Sequence, residues 1–357
     1  MLMTNTPLLM KELKEIFNAE FTMKDMGTAE WLLGIKFRRY ENGIYLGQPT
    51  YAQETLVNAG LWDMEVNGMK VPVTPKFTTL PSSWQHDETS PLLDSADSTK
   101  FKSFLMRLSY MVQQTRPDMA YAVNTLAQYQ VTARECDWNA LVHLLRYLRG
   151  TWDYGLFFQR TKDPIALFTN DASHIIVDET PVGYADASYA EDQNRKSRSA
   201  FVFMFCGAAV LWYSKKQSVV ALSSTEAEYY ALGSAVQEAL WLRNLLRELT
   251  IPMLNATIIM EDNMSTIAIA SNQIQNQRVK HVDVKYHFLR DHISNGDVEL
   301  VYCPTEDMIA DALTKPLPAA QQTKLVSLMG LRSEMDLSGN SYIPARTGHY
   351  AWSWAKQ

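Results

Sequence analysis

The spacing of apolar positions changes character along this chain. Residues 9–17 carry apolar side chains at helical intervals, whereas 31–37 and 43–46 read as a strand pair turned by Glu41-Asn42-Gly43. A helix is predicted over 51–59, stopped at Gly60. Between 100 and 149 the helical period dominates: Phe104, Leu105, Leu108 and Val112 share one stripe. Thr115-Arg116-Pro117-Asp118 starts another helix with proline in its first turn, and 138–148 forms a third, closed by Gly150. Short strands are expected at 155–158 and 165–168. From about 180 the period falls to two. Strands are predicted near 181–189, 199–206, 209–221, 256–262 and 297–303, with Gly207-Ala208 as a turn between two buried strands. Helices are predicted over 225–249, 264–271, 283–294 and 306–330, the last broken by Pro316 and Pro318. Sequential strands, then a helix and a further strand, predict an α/β fold with a mixed sheet flanked by helices.

Two stretches break these patterns. Residues 71–99 hold Pro72, Pro75, Pro81 and Pro91 and read as a linker; 331–357 show little apolar periodicity and read as a loose tail. The chain has 357 residues, long enough for two or three domains, and its 46% hydrophobic and 20% charged content is that of a globular protein. A net charge of -6 gives no global electrostatic case for nucleic acid, so any such case must be local. Cys136, Cys206 and Cys303 are widely spaced and form no Cys-x-x-Cys pair. That usage fits a reduced compartment and argues against a zinc site. No signal peptide or membrane-spanning run is evident, so a cytoplasmic or nuclear location without membrane contact is expected.

Four acids interrupt or end apolar segments of the second half: Asp186, Glu228, Asp262 and Asp311. Acids on core-facing surfaces are costly unless paired or metal-bound, and four of them could converge on a pair of divalent cations. Glu228 could instead be a capping residue, since Thr225-x-x-Glu228 and Ser223-x-x-Glu226 both fit a capping box. The helix face separates the two. Ala231, Leu232, Ala235, Val236 and Ala239 follow Glu228 at helical spacing, whereas Glu226 heads a mixed face. Glu228 is therefore assigned to metal and Glu226 to capping. Asp186 within a strand reads equally as an edge or turn residue, Asp262 alone reads better as a helix N-cap, and Asp311 alone as a surface acid. Only the combination favours metal.

Basic residues near this half are Arg195, Lys196 and Arg198, then Lys215 and Lys216, then Lys280. Scattered lysines usually mark a solvated face. The 195–198 cluster sits in a strand-to-strand turn beside Asp186 and could hold phosphates in a salt-dependent way. His281 and His287 are six apart, which puts them on no common helix face for a metal.

Several motifs resemble one family. The segment 222–232 (Leu-Ser-Ser-Thr-Glu-Ala-Glu-Tyr-Tyr-Ala-Leu), the block 280–288 and the stretch 310–317 (Ala-Asp-Ala-Leu-Thr-Lys-Pro-Leu) resemble the ribonuclease H domain of copia-type retrotransposon polyproteins, as does 212–217. Upstream, 110–122 and 145–155 resemble its connecting region, and 21–27 with 33–35 the segment after the polymerase catalytic loop. The resemblance covers roughly 8–330 with the motifs in the family's order. It implies a ribonuclease H-like five-stranded mixed sheet over 178–330, preceded by a reverse-transcriptase palm/thumb remnant over 1–70, the 71–99 linker and a connection-like region over 100–175. It also implies an Asp-Glu-Asp-Asp set, matched here by Asp186, Glu228, Asp262 and Asp311.

The implied reaction is Mg²⁺-dependent hydrolysis of RNA in an RNA–DNA hybrid by two ions, with Mn²⁺ as substitute. Asp186 would bridge the ions. No Asp-Asp pair occurs in the chain, so polymerase activity is not expected; the chain reads as the rear part of a reverse transcriptase, with the remainder of that enzyme as an expected partner. Cys303-Pro304-Thr305 stands where many ribonucleases H carry a histidine. The competing expectation is an inactive transposon relic that at most binds nucleic acid. A strand-transfer nuclease fits less well, because its last acid is usually a glutamate.

Overall fold

The computed structural model describes residues 7–22, 24, 27–62, 65–66, 69–70, 78–81, 83–160, 165–168, 174–177, 180–192, 194–251, 253–271 and 283–339. Its first half contains α1 (Pro7–Glu20), β1 (Trp31–Leu32), β2 (Ile35–Tyr40), β3 (Gly43–Gly47) and α2 (Pro49–Asn58). A small hairpin of β4 (Glu65–Val66) and β5 (Met69–Lys70) follows, then α3 (Ser95–Gln114), α4 (Ala120–Ala127), α5 (Glu135–Gly150) and β6 (Tyr154–Gln159). A second hairpin joins β7 (Ile165–Phe168) to β8 (His174–Val177). The second half contains β9 (Val182–Ser188), β10 (Arg198–Phe205), β11 (Ala208–Lys216), α6 (Ser224–Glu248), β12 (Thr257–Glu261) and α7 (Met264–Ser271). It ends with α8 (Asp283–Ser294), β13 (Val298–Tyr302), α9 (Ala319–Leu328) and β14 (Leu331–Ser333). Among the described residues, no helix is long and apolar enough to cross a membrane.

The mixed five-stranded sheet expected beyond residue 180 is present, in the order β11-β10-β9-β12-β13. β9, β10 and β11 form an antiparallel meander, and β12 and β13 add in parallel to β9. The directions of β9, β11, β12 and β13 therefore agree, and all four end at one edge of the sheet. Period-two patterning explains the burial. Val182, Tyr184, Ala200, Val202, Ile258 and Met260 face a core shared with α3, α4, α5 and α9. Ala185, Phe201, Phe203 and Ile259 face the opposite core, filled by Leu232, Ala235, Val236 and Ala239 of α6. A layer of helices thus covers each face.

A second sheet, β1-β2-β3-β6-β14, is wholly antiparallel. Its last strand corrects an expectation. The tail expected to be loose from residue 331 begins as β14, which pairs with β6 through Leu331↔Leu156 and Ser333↔Tyr154. Three residues, Leu331-Arg332-Ser333, carry too little pattern to betray a strand. The linker expected over 71–99 also ends early. Asp94 accepts a hydrogen bond from the Asp97 N–H at 2.8 Å, which starts α3 at Ser95. The helix expected over 306–330 is instead two 3₁₀ turns, Thr305–Asp307 and Ile309–Leu313, with α9 starting only after Pro318.

The β10–β11 turn stitches the two sheets together. Cys206 and Gly207 both have positive φ, 50° and 77°, as a tight two-residue hairpin turn requires. The Cys206 carbonyl accepts from the Gln159 N–H at 2.7 Å, and Ala209 N–H donates to the Met329 carbonyl at 3.0 Å. Gly330 (φ 79°) lies against this turn, and a methyl group there would collide with the Gly207 carbonyl oxygen and with Ala208. Gly330→Ala is therefore expected to lower the unfolding free energy by about 2–4 kcal/mol, the sum of left-handed strain and overpacking. Urea unfolding of the variant beside the wild type measures it; a change below about 0.5 kcal/mol would contradict this account.

Candidate functional site

The shared edge explains why distant acids meet. Met260↔Tyr184 pairing brings the end of β12 beside the end of β9, so Asp262 arrives next to Asp186. β11 ends at the same edge, and the chain turns there into α6, whose second turn carries Glu228. Ligand sites of α/β sheets commonly lie beyond such carboxyl ends. Carboxylate oxygens of Asp186, Glu228 and Asp262 all lie within 4.8 Å of one another. Asp311, on the 3₁₀ turn Ile309–Leu313, is not within that distance of all three, but its carboxyl lies near enough to Asp186 for that charge to raise its pKa.

Glu226 and Glu228 separate as the helix face requires. Ser223 accepts from the Glu226 N–H at 3.1 Å, and the Glu226 carboxylate accepts from the Leu222 N–H at 2.7 Å, closing the first turn of α6. Glu228 is buried on the sheet side and accepts from the Ala187 N–H. Asp262 is not the N-cap of α7. Asn263 takes that role, its Oδ1 accepting from Ser265 and Thr266 N–H at 3.0 and 3.1 Å. Asp262 is left facing the acids, with Thr305 Oγ1 donating to it at 2.8 Å.

The electrostatics are those of crowded like charges. Burial, then repulsion from Asp186, Glu261 and Asp262, pushes the Glu228 carboxyl up to about 11. Burial first, and then Asp186, pushes Asp311 up to about 7. Asp186 is raised as well, burial outweighing the pull of Lys315 and of the Thr314 hydroxyl, which donates to it. Lys315 Nζ lies 2.8 Å from Asp311 Oδ1, yet Asp311 stays raised, so burial and Asp186 outweigh that ion pair. Glu228 Oε2 is buried and has no hydrogen-bond partner. An oxygen-only donor set with an unsatisfied buried oxygen suits a hard divalent cation.

The basic residues divide. Arg195 and Lys215 are exposed, Arg195 with φ 55° at the β9–β10 turn. Lys196 is half-buried and donates to the Ser218 carbonyl at 2.8 Å. Lys216 is bound to Asp192 at 2.6 Å. Arg198 is a correction to the surface patch. It is buried, its guanidinium over the Tyr121 ring at 5.2 Å and donating to Thr125 Oγ1 at 3.1 Å. As the first residue of β10 its side chain points into the shared core, where the ring and hydroxyl of α4 take up its charge. Lys280 lies outside the described residues.

Two relatives cover most of the chain. The chain is 31% identical over 314 residues to the retrovirus-related Pol polyprotein from transposon RE2 of Arabidopsis thaliana, covering 88% of this chain and 20% of that protein. It is 32% identical over 330 residues to the Pol polyprotein from transposon TNT 1-94 of Nicotiana tabacum, covering 91% of this chain and 23% of that one. The chain belongs to the copia-type retrotransposon Pol polyproteins. It spans about a fifth of the length of those relatives. No protein-family model matches it. Among solved structures, LC11-RNase H1 isolated from compost is similar at 15% identity and a TM-score of 0.31, over 38% of this chain and 94% of that one. So low a score adds nothing to what the strand order of this copia-type chain already establishes.

Sequence reasoning missed four residues of the cluster. Glu261 is fully buried and its Oε2 has no hydrogen-bond partner; burial holds it well above the usual carboxylate range. An acid closing the apolar run 257–260 was the available signal. Thr314 and Lys315 follow Asp311 at one helical turn, and their spacing could have marked them. Thr305 carried no signal. With metal chelated away, the raised Asp311 makes stability pH-dependent. The folded state holds its proton up to about pH 7 while the unfolded chain loses it near the ordinary aspartate value of 3.8. Stability from this group is complete below pH 4 and is lost as pH rises towards 7. Asp311→Asn is expected to gain in Tm over wild type as pH rises across that window in the presence of chelator. Equal differences at pH 4 and 7 would remove Asp311 from the cause.

Proposed function

We propose that this chain carries a ribonuclease H that hydrolyses the RNA strand of an RNA–DNA hybrid with divalent metal, Mg²⁺ or Mn²⁺. The observation that carries the reading is the convergence of Asp186, Glu228 and Asp262 from three separate elements to within 4.8 Å. Membership in the Pol polyproteins supports it. Residues 178–330 would form the nuclease part, with 100–175 as a connection region. The remainder of a reverse transcriptase is the expected protein partner.

Asp186, Glu228 and Asp262 would hold metal, and Asp311 would join them through Asp186. Bound divalent cations supply a water nucleophile near neutral pH and stabilise charge on the leaving oxygen. The chain's own residues prepare that arrangement. Thr305 orients Asp262, Thr314 orients Asp186, and Ala187 N–H fixes Glu228. Lys315 offsets the carboxylate charge until metal arrives. Arg195 and Lys196, in the β9–β10 turn two residue pairs beyond Asp186, would meet phosphates.

Cleavage of end-labelled hybrid, duplex DNA and duplex RNA by the purified chain tests the reading. Wild type is expected to cut only the hybrid, and only with metal. Asp262→Asn should lower the rate at least about 100-fold while hybrid binding persists, since even outer-shell partners of metal ligands are worth 10–100-fold. Failure of wild type to cut hybrid with either metal defeats the proposal; unimpaired Asp262→Asn defeats the site assignment. Arg195→Ala and Lys196→Ala should each weaken hybrid binding and reduce the salt slope by roughly one counterion. Unchanged slopes would take these two residues out of the interface.

A further inference from the structure

A second group of metal-ligating side chains lies in the connection region. The segment 84–93 is knitted to the start of α5. Trp84 Nε1 donates to the Cys136 carbonyl at 3.2 Å, Glu135 N–H to the Pro91 carbonyl at 2.9 Å, and Leu93 N–H to the Ala133 carbonyl at 3.0 Å. That lacing brings His86 onto Cys136 and Asp137. Their Nδ1, Sγ and carboxylate oxygen atoms lie within 4.8 Å of one another.

From this juxtaposition we infer that His86, Cys136 and Asp137 form a binding site for a zinc-class cation. Two edges of the triangle fit. With metal–nitrogen, –sulfur and –oxygen bonds of ordinary zinc length, a tetrahedral site needs edges of about 3.3 Å for N···O and about 3.5 Å for S···O. The structure has 3.0 Å from His86 Nδ1 to Asp137 Oδ1 and 3.7 Å from Cys136 Sγ to the same oxygen. Both distances lie within about 0.3 Å of that geometry, and the third edge, from Nδ1 to Sγ, is within 4.8 Å. The donors are also held in place. Asp137 is fully buried and anchored at the third position of α5, where Oδ2 accepts the Arg134 N–H at 3.0 Å. The His86 ring is stacked on Tyr129 with centroids 3.8 Å apart and planes 12° from parallel.

The donor types select the metal. Nitrogen, sulfur and oxygen together suit Zn²⁺ and disfavour Mg²⁺, which takes oxygen alone. A thiolate, a carboxylate and a neutral imidazole balance a divalent cation, so a largely buried site closes without net charge. Cys136, the half-exposed member of the group, also lies 3.9 Å through its Sγ from the Asp87 carbonyl. Binding clamps the segment 84–93 to α5 and so couples metal to the stability of the connection region. Sequence spacing hid the site, because His86 and Cys136 are fifty residues apart and no Cys-x-x-Cys pair announces them.

The test uses the full chain, reduced and freed of metal, titrated with Co²⁺ as a spectroscopic stand-in for Zn²⁺. One equivalent should give a sulfur-to-cobalt charge-transfer band that Zn²⁺ abolishes. Cys136→Ser, a half-exposed position, should lose the band, whereas Cys206→Ser, Cys303→Ser and the double variant Asp186→Asn/Asp262→Asn should keep it. Zn²⁺ should raise the Tm of wild type and leave that of Cys136→Ser unchanged. Absence of a thiolate band in wild type, or its persistence in Cys136→Ser, overturns the proposal.

Discussion

Mutual repulsion among carboxylates buried at one edge of a sheet is the constraint around which the second half of this chain is organised. Charges a few ångströms apart in a poorly solvated place cannot all remain ionised without a cation. The chain answers with protons, hydroxyls and one ammonium. Thr314 and Thr305 donate to Asp186 and Asp262, and Lys315 approaches Asp311. None of these reaches the buried Oε2 of Glu228 or of Glu261. These two oxygens are therefore held in the cluster by the surrounding fold and not by those donors.

The surrounding fold does this through strand direction. An antiparallel meander returns β11 to the edge where β9 ends, and the parallel additions β12 and β13 end there too. A helix that starts at that edge can place a side chain from its second turn among the strand-end acids while its later turns fill the core. Glu228 and the alanines that follow it in α6 divide those tasks on a single helix face. Small side chains at Ala187, Ala221, Ala227 and Ala231 let helix and sheet approach closely enough for the carboxylate to reach.

Much of this was legible in the sequence, because burial on both faces of a sheet imposes a strict alternation. The strands of the second half fall within a few residues of their expected places, the longest excess being 209–221, which ends at Lys216 where the chain turns towards α6. The contrast between Glu226 and Glu228 was legible for the same reason, since a helix face is a periodic object. Non-periodic features were not. Glu261 was overlooked because an acid beside Asp262 looks like part of the same turn. Arg198 was misread because charge alone does not reveal that a tyrosine ring waits beneath it. β14 was missed because three residues make no pattern, and its partner strand lies far back in the chain.

That return strand has a consequence for taking the molecule apart. β14 leaves the nuclease-like half and completes the sheet begun near the amino end, and the β10–β11 turn is wedged into the same junction. One face of the second sheet shares its apolar core with α3, α4 and α5. A fragment starting at residue 178 would bare to water the face of the β9–β13 sheet that packs on those helices, and would leave β14 with no neighbour to pair with. The two halves are interleaved in space although they are consecutive in sequence, so the smallest piece expected to stay soluble and folded runs from β2 through β14.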